Sequence, residues 1–346
     1  MTTEEKLNLI KRNTEEILTE EELAELLKNK TEPVVYLGYA PTGRPHIGYM
    51  IPAMKIKDFV NAGLKVKILL ADIHAHLDNM KSPLELLAKL VEFYKQELTA
   101  LYQAIGADVS KIEFIKGSDY QLSKKYSLDM YRLAAQTSAE RAKHAAAEVV
   151  KFGDAPKLGG FLYPLLQTLD EEHLGADIQY GGVDQRKIFG FARESHPKIG
   201  QQKRIEIMTP MLPGISGGKM SASEAGSKID LLDSEAEIAA KIKKAYCPEG
   251  ELADNGIMVF MKYVIMTLKE DHREPFSVER PAKFGGNVEY GNYADLEKDF
   301  VDKKLHPEDL KKALVRELVK ILAPVREALE GKEDLIKEAY PEMANS

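Results

Sequence analysis

The chain contains a single cysteine, Cys247, in 346 residues. Neither an internal disulfide nor a multi-cysteine zinc site can be built from it, and a reducing compartment fits. No apolar run approaches the ~20 residues needed to cross a bilayer. The N-terminus, TTEEKLNLIKRNTEEILTEEEL, is acidic and helical in pattern, without an apolar signal core. These absences lead to the expectation of a cytoplasmic protein with no membrane contact. An excess of positive charge is also missing. A formal charge of −7 excludes coating nucleic acid by bulk electrostatics, which needs a net basic surface, but leaves room for local basic patches. No internal repeat or low-complexity tract is present.

What is there is the composition of an ordinary globular protein, 44% apolar and 30% charged, which excludes disordered and collagen-like classes. Single cores usually stop growing near ~250–300 residues, so the length predicts one large domain and a smaller partner.

Residues 1–32 read as a helical N-terminal extension, with Thr19 and Glu22 as a capping box ahead of Leu23, Leu26 and Leu27. Buried strands are predicted at Val34–Gly38, Val66–Ala71, Ile112–Ile115, Asp177–Tyr180 and Arg204–Met208. A helix is expected from about Ile47 to Asn61. Another is expected to start at Ser82, Pro83 and Glu85, burying Leu84, Leu87, Val91, Tyr94, Leu98, Leu101 and Ile105. Strands alternating with helices imply an α/β fold, a doubly wound parallel sheet of Rossmann type, over residues 33–232. Past about Leu232 the texture becomes helical and charged, so 233–346 is expected to be a mainly α-helical C-terminal domain with a charged tail.

Two constellations carry chemistry. His46, Ile47, Gly48 and Tyr49 stand at a strand-to-helix junction, where free backbone N–H groups and a helix dipole can hold phosphate. By itself this pattern equally describes a capped helix start. Lys219, Met220, Ser221, Ala222 and Ser223 lie in a glycine-flanked segment, 214–227. A lysine and two hydroxyls on such a segment suit a loop that closes over a polyphosphate, although most Gly/Ser stretches are plain surface loops. A third feature is a polar stripe, Tyr163, Gln167 and Asp170 at i, i+4 and i+7, flanked by Leu162, Leu165, Leu166 and Leu169. A polar stripe that is buried or faces a cleft needs a partner.

HIGY followed about 170 residues later by KMSAS resembles the paired HIGH and KMSKS signatures of class I aminoacyl-tRNA synthetases. The segments YLGYAPTGRPHIGY, LLADIHAHLDN, GSDYQLSKKY, LYPLLQTLDEEHL, GGVDQRKIF, KKAYCPEG, KFGGN and HPEDLKKAL resemble, in order, those of archaeal and eukaryotic cytosolic tyrosyl-tRNA synthetases. The resemblance runs from about residue 33 to residue 330. It implies activation of L-tyrosine with ATP, Mg²⁺ on the phosphates, and transfer to tRNA(Tyr) by a homodimer, with no metal site of the protein's own.

The resemblance also implies roles. Asp170 and Tyr36 would bind the phenolic hydroxyl, Tyr163, Gln167 and Gln185 the ammonium group and nearby backbone, and Leu69 and His74 would wall the ring. Gly38, Gly43, His46, Gly48 and Lys219 would bind ATP, with His46, Gly48, Tyr49, Lys219, Ser221 and Ser223 forming the catalytic set. Phe284, His306 and Asp309 match positions that contact the anticodon, an aromatic ring and a carboxylate being what single-stranded RNA readout uses. Lys303, Lys304, Lys311, Lys312 and Arg316 lie close by as candidates for phosphate contact. An insertion at about 110–160, with Arg132, Arg141, Lys143, His144 and Lys151, would meet the acceptor end of the tRNA and dimerise. Tyr49 replaces the last histidine of HIGH and Ala222 the second lysine of KMSKS, so one cation is missing. The competing readings are a tryptophanyl-tRNA synthetase, which has no use for a Tyr36 and Asp170 pair, and a non-catalytic paralogue that only binds RNA or protein.

Overall fold

A computed structural model describes residues 1–214 and 228–341. Six strands form one sheet in the order β1-β6-β5-β2-β3-β4: β1 (Glu16–Leu18), β2 (Val34–Tyr39), β3 (Lys65–Leu70), β4 (Ile112–Lys116), β5 (Ile178–Gly182) and β6 (Ile205–Thr209). Every pairing is parallel except that of β1 with β6. Buried apolar runs suit strands covered by helices on both faces, as parallel crossovers require. The chain winds outward from β2 through β3 to β4, then returns to the other side of β2 with β5 and β6. The winding therefore reverses between β2 and β5, and the carboxyl ends of these neighbours open a crevice there.

Several local expectations change. The N-terminal segment holds helices Thr3–Lys11 and Glu20–Asn29, but β1 lies between them and pairs with β6. Thr19 precedes the second helix in a left-handed conformation and makes no capping bond to the backbone. Its hydroxyl bonds the Leu18 carbonyl and Glu22 instead. The capping box of this segment is Thr2 with Glu5.

The long helix begins at Leu87, not near Ser82, because the Ser82 hydroxyl is buried and donates to the Pro41 carbonyl at 2.7 Å. Leu84, ahead of this helix, is exposed. Residues 112–116 of the expected insertion are an edge strand of the sheet. The helices Lys124–Ala134 and Ala139–Ala146 follow and pack on the helix Leu158–His173.

Beyond Asp230 the chain is mostly helical, apart from a hairpin of β7 (Phe276–Val278) and β8 (Val288–Tyr290). The helix Pro307–Leu329 packs on Leu87–Ala104, and one continuous apolar core joins the sheet region to these C-terminal helices. A buried charge network reinforces the join. Arg12 bridges Asp58 and Asp271, Lys57 reaches Asp271 at 3.0 Å, and the buried Lys55 ammonium donates to the Ile10 carbonyl at 2.9 Å. Each charge has a partner, which is the condition for burying charges at tolerable cost.

Candidate active site

The crevice between β2 and β5 is a cavity of about 390 Å³. All seven residues expected around tyrosine line it: Tyr36, Leu69, His74, Tyr163, Gln167, Asp170 and Gln185. So do Gly38, His46 and Gly48 from the expected nucleotide set and Tyr49 from the expected catalytic set. Strand β2 supplies Tyr36 and Gly38 and β3 supplies Leu69. The helix Leu158–His173 presents Tyr163, Gln167 and Asp170 on one face, as their spacing predicts.

Asp170 is fully buried, and its two oxygens differ. Oδ1 accepts from the Tyr120 hydroxyl at 2.7 Å, Tyr126 at 2.8 Å and the Gln121 amide at 2.9 Å. Oδ2 has no hydrogen-bond partner, and His74 Nε2 stands 3.7 Å away. Burial pushes the Asp170 carboxyl up to about 6, while the three donors on Oδ1 hold it lower than burial alone would. Burial also pushes His74 down to about 3, leaving a neutral ring edge-on to Tyr163, with both nitrogens unbonded. Buried polar atoms rarely go without partners, so the side of the cavity near Asp170 is built for an occupant that brings a donor.

Tyr120, Gln121 and Tyr126 were not singled out by sequence reasoning, although all three lie in the segment GSDYQLSKKY. Gly117 opens this segment because a Cβ there would fall 2.7 Å from Gln121 Oε1 and 2.9 Å from Asp72. Gln179, Asp184 and Lys228 also line the cavity and were missed. Nothing in their local pattern marks them. Tyr36 accepts from the Gln179 amide and donates to the Gln167 carbonyl at 3.1 Å. Gln167 donates to Gln185 Oε1 at 3.2 Å, and Gln185 donates to Asp184 at 3.0 Å.

At the other end, the HIGY turn departs from expectation. Its amides are already bonded: Ile47 N–H to the Ile229 carbonyl at 2.9 Å, Gly48 N–H to His46 Nδ1 at 3.1 Å and Tyr49 N–H to the His46 carbonyl at 2.8 Å. What Gly48 provides is space. A Cβ there would lie 2.7 and 2.9 Å from the His46 ring, so only glycine lets the ring fold back as a cap. With Nδ1 accepting, the proton sits on Nε2. Burial, helped by Lys228, pushes His46 down to about 4 and makes it a neutral donor.

Tyr49 stacks on Tyr39, and its hydroxyl lies 3.3 Å from that of Tyr94. Gly43 is not on the cavity wall, and its carbonyl accepts from Tyr94. Lys219, Ser221, Ala222 and Ser223 lie outside the described residues. Their flanks on both sides, Met211, Leu212 and Lys228, line the cavity. Arg44 bonds Asp230 at 2.9 Å, tying the HIGY turn to the chain that follows the second motif.

The outlying residues stand elsewhere. Phe284 is 60% exposed, in the turn Ala282–Phe284. His306 caps the helix Pro307–Leu329, accepting from Glu308 N–H at 3.2 Å, and Asp309 lies in its first turn. Arg280 joins the two places by donating to the Gly286 carbonyl at 2.6 Å and the Lys304 carbonyl at 2.7 Å. Of the nearby cations, Lys311 is buried and donates to the Lys243 carbonyl, which takes it out of the candidate phosphate contacts. Arg316 pairs with Glu279 and Lys304 with Asp302. In the insertion, Arg132 pairs with Asp129 and Arg141 with Glu194, and Lys143 lies over the Phe152 ring.

A doubly wound sheet whose switch-point cavity runs from a buried carboxylate to a histidine turn suits an enzyme that joins a nucleotide to a small substrate. Residues 28–323 match the family model described as tRNA synthetases class I (W and Y). The chain belongs to this family and is an aminoacyl-tRNA synthetase. It is 47% identical over 342 residues to a tyrosine–tRNA ligase of Natronomonas pharaonis, covering 99% of both chains. It is 48% identical to the cytoplasmic tyrosine–tRNA ligase of Danio rerio, covering 99% of this chain and 64% of that one. Among solved structures it resembles tyrosyl-tRNA synthetase of Archaeoglobus fulgidus complexed with L-tyrosine. That likeness has a TM-score of 0.89 and 41% identity over 95% of this chain and 100% of the other.

Proposed function

We propose that this chain is a tyrosine–tRNA ligase that forms tyrosyl-adenylate from L-tyrosine and ATP and passes the tyrosyl group to tRNA(Tyr). The observation that carries the choice of amino acid is the unpartnered Asp170 Oδ2 in a cavity end walled by Leu69 and His74. A phenolic O–H donates to Oδ2, and its oxygen accepts from Tyr36, whose proton turns from the Gln167 carbonyl. An indole has only one donor and no acceptor to match this pair, which disfavours tryptophan. Tyr163, Gln167 and Gln185, all on the cavity wall, supply the acceptors that the ammonium group needs.

ATP lies against the HIGY turn with Mg²⁺ entering on its phosphates as part of the substrate. No three His, Cys, Asp or Glu side chains gather as metal ligands among the described residues. The tyrosine carboxylate attacks the α-phosphorus in line, pyrophosphate leaves, and no covalent enzyme intermediate is needed. His46 Nε2–H donates to charge developing on a phosphate oxygen, and Lys219 acts in the same sense from the KMSAS segment. ATP–pyrophosphate exchange run with all twenty amino acids tests the reading: only tyrosine should support rapid exchange, and exchange with none would point to the non-catalytic alternative.

Ionised Asp170 is the acceptor that this pocket needs. As pH falls through about 6 the carboxyl protonates, so kcat/KM for tyrosine should fall over that window. Stability should move the other way. A buried acid whose titration is raised in the fold stabilises it most at low pH, and that contribution is lost as pH rises from the ordinary carboxylate range through about 6. A pH profile of exchange beside thermal melts over the same range checks both signs.

A cytoplasmic homodimer completes the proposal. No described helix is long and apolar enough to cross a membrane. Leu122, Leu128 and Tyr131 on the helical insertion, and Leu158 and Leu162 at the start of the helix Leu158–His173, are exposed, apolar surface that suits burial against a second copy. Phe284, His306 and Asp309 form the proposed anticodon site, apart from the cavity. Asp309→Ala should weaken aminoacylation by ~1–3 kcal/mol, as for one lost base contact, with adenylate formation nearly unchanged. Equal loss in both reactions would make Asp309 structural.

A further inference from the structure

Behind the phenol end of the cavity, three polar side chains stand in register across three strands. Tyr36 on β2 is paired with Gln179 on β5, and Gln179 with Glu206 on β6. All three are buried. The Gln179 amide donates to the Tyr36 oxygen, yet Gln179 Oε1 has no partner, and neither has either carboxylate oxygen of Glu206. An acceptor without a donor thus stands in register with a carboxyl without partners, and a proton on one Glu206 oxygen supplies the donor that Gln179 Oε1 lacks.

We propose that Glu206 is a positioning residue for amino-acid discrimination: as a neutral acid it donates to Gln179 Oε1 and so locks the amide with its N–H on the Tyr36 oxygen. This rests on the tyrosine reading above. With that acceptor position occupied by Gln179, the Tyr36 proton must point to another acceptor. Without substrate that acceptor is the Gln167 carbonyl, and with substrate it is the phenol oxygen. Without the lock the amide can flip, present Oε1 to Tyr36 and draw its proton away from the pocket. The chain of donors runs one way, from Glu206 through Gln179 and Tyr36 to the phenol and on to Asp170 Oδ2.

The surroundings place the proton on Glu206. The other buried carboxyl nearby, Glu171, has its proton committed elsewhere. His196 gives its Nδ1–H to Gln201 Oε1 at 2.9 Å and burial pushes the ring down to about 4, so neutral His196 Nε2 accepts from Glu171 Oε2 at 2.8 Å, while Glu171 Oε1 has no partner. Burial above all pushes both carboxyls up, with repulsion from Asp170 adding to it for Glu171 and repulsion from Glu171 for Glu206. Arg193 and Arg204 act against the shift, but Arg204 is bonded to Glu172 at 2.6 Å and Arg193 to the Arg204 carbonyl. A competing donor is Arg204 Nε, which is buried without a partner.

The test is the ratio of kcat/KM for tyrosine to that for phenylalanine in ATP–pyrophosphate exchange, with melting curves beside it. Glu206→Met should lower the ratio ~5–10-fold, the loss of one neutral hydrogen bond. Glu206→Gln, which keeps a neutral donor, should hold it near the parent value. A wild-type ratio in Glu206→Met overturns the proposal. So does a Glu206→Gln variant that loses stability and ratio as Glu206→Met does, the result expected if Glu206 were the counter-ion of Arg204. A purely structural role would lower exchange with both amino acids alike. Failure of the tyrosine reading is distinct, since the parent enzyme would then not prefer tyrosine.

Discussion

Asp170→Asn should lower kcat/KM for tyrosine by ~10²–10³, with the KM for ATP little changed. The estimate follows from losing a charge-assisted bond to the phenol and turning one carboxylate oxygen into a donor that faces other donors, together roughly 3–4 kcal/mol. Oδ1 is encircled by Tyr120, Gln121 and Tyr126, so an amide there must present its oxygen to them and its NH₂ to the substrate. The phenol then meets donors from both the new amide and Tyr36. Phenylalanine, which uses neither, should lose far less. Asp170→Ala would also orphan the three donors, so the asparagine variant separates recognition from stability better. ATP–pyrophosphate exchange with both amino acids measures this, and equal losses for the two would show that Asp170 supports the fold and not the choice of substrate.

His46→Ala should cost ~10²–10³ in kcat for adenylate formation, the range for removing one preorganised donor to developing charge, with a smaller change in KM for ATP. His46 is neutral near pH 7, so the parent rate should show no step near the ordinary histidine range that this substitution removes. Gly48→Ala should reproduce much of the same loss. The added methyl would collide with the His46 ring, and the turn cannot yield easily because Ile47 is bonded to Ile229 and Arg44 to Asp230. Single-turnover formation of tyrosyl-adenylate separates the effects, and a Gly48→Ala enzyme with the parent rate would show that the folded-back ring is not the working one.

Much of this was legible along the chain because it is local. Strand and helix periods place Tyr36, Leu69 and the Tyr163, Gln167 and Asp170 stripe, and the order of elements implies a doubly wound sheet. Register across strands is not local. The row of Glu206, Gln179 and Tyr36 joins residues far apart in the chain, and no spacing rule links them. The same holds for Tyr120, Gln121 and Tyr126, whose approach to Asp170 depends on how the helices after β4 fold back.

By itself, then, the amino-acid sequence determined the kind of sheet, the crevice where ligands bind and eleven of the residues that line it. The sheet and its crevice follow from backbone periodicity, turn chemistry and motif order, all set by near neighbours, and the lining residues from the family resemblance that those motifs carry. The tertiary structure alone decided how those side chains are used. It made the HIGY turn a frame that aims one histidine, with its own amides already bonded, and it left Asp170 with one saturated oxygen and one open oxygen. The physical reason is that hydrogen-bond satisfaction in a buried site depends on every group packed around it, and those groups arrive from strands and helices that only folding brings together.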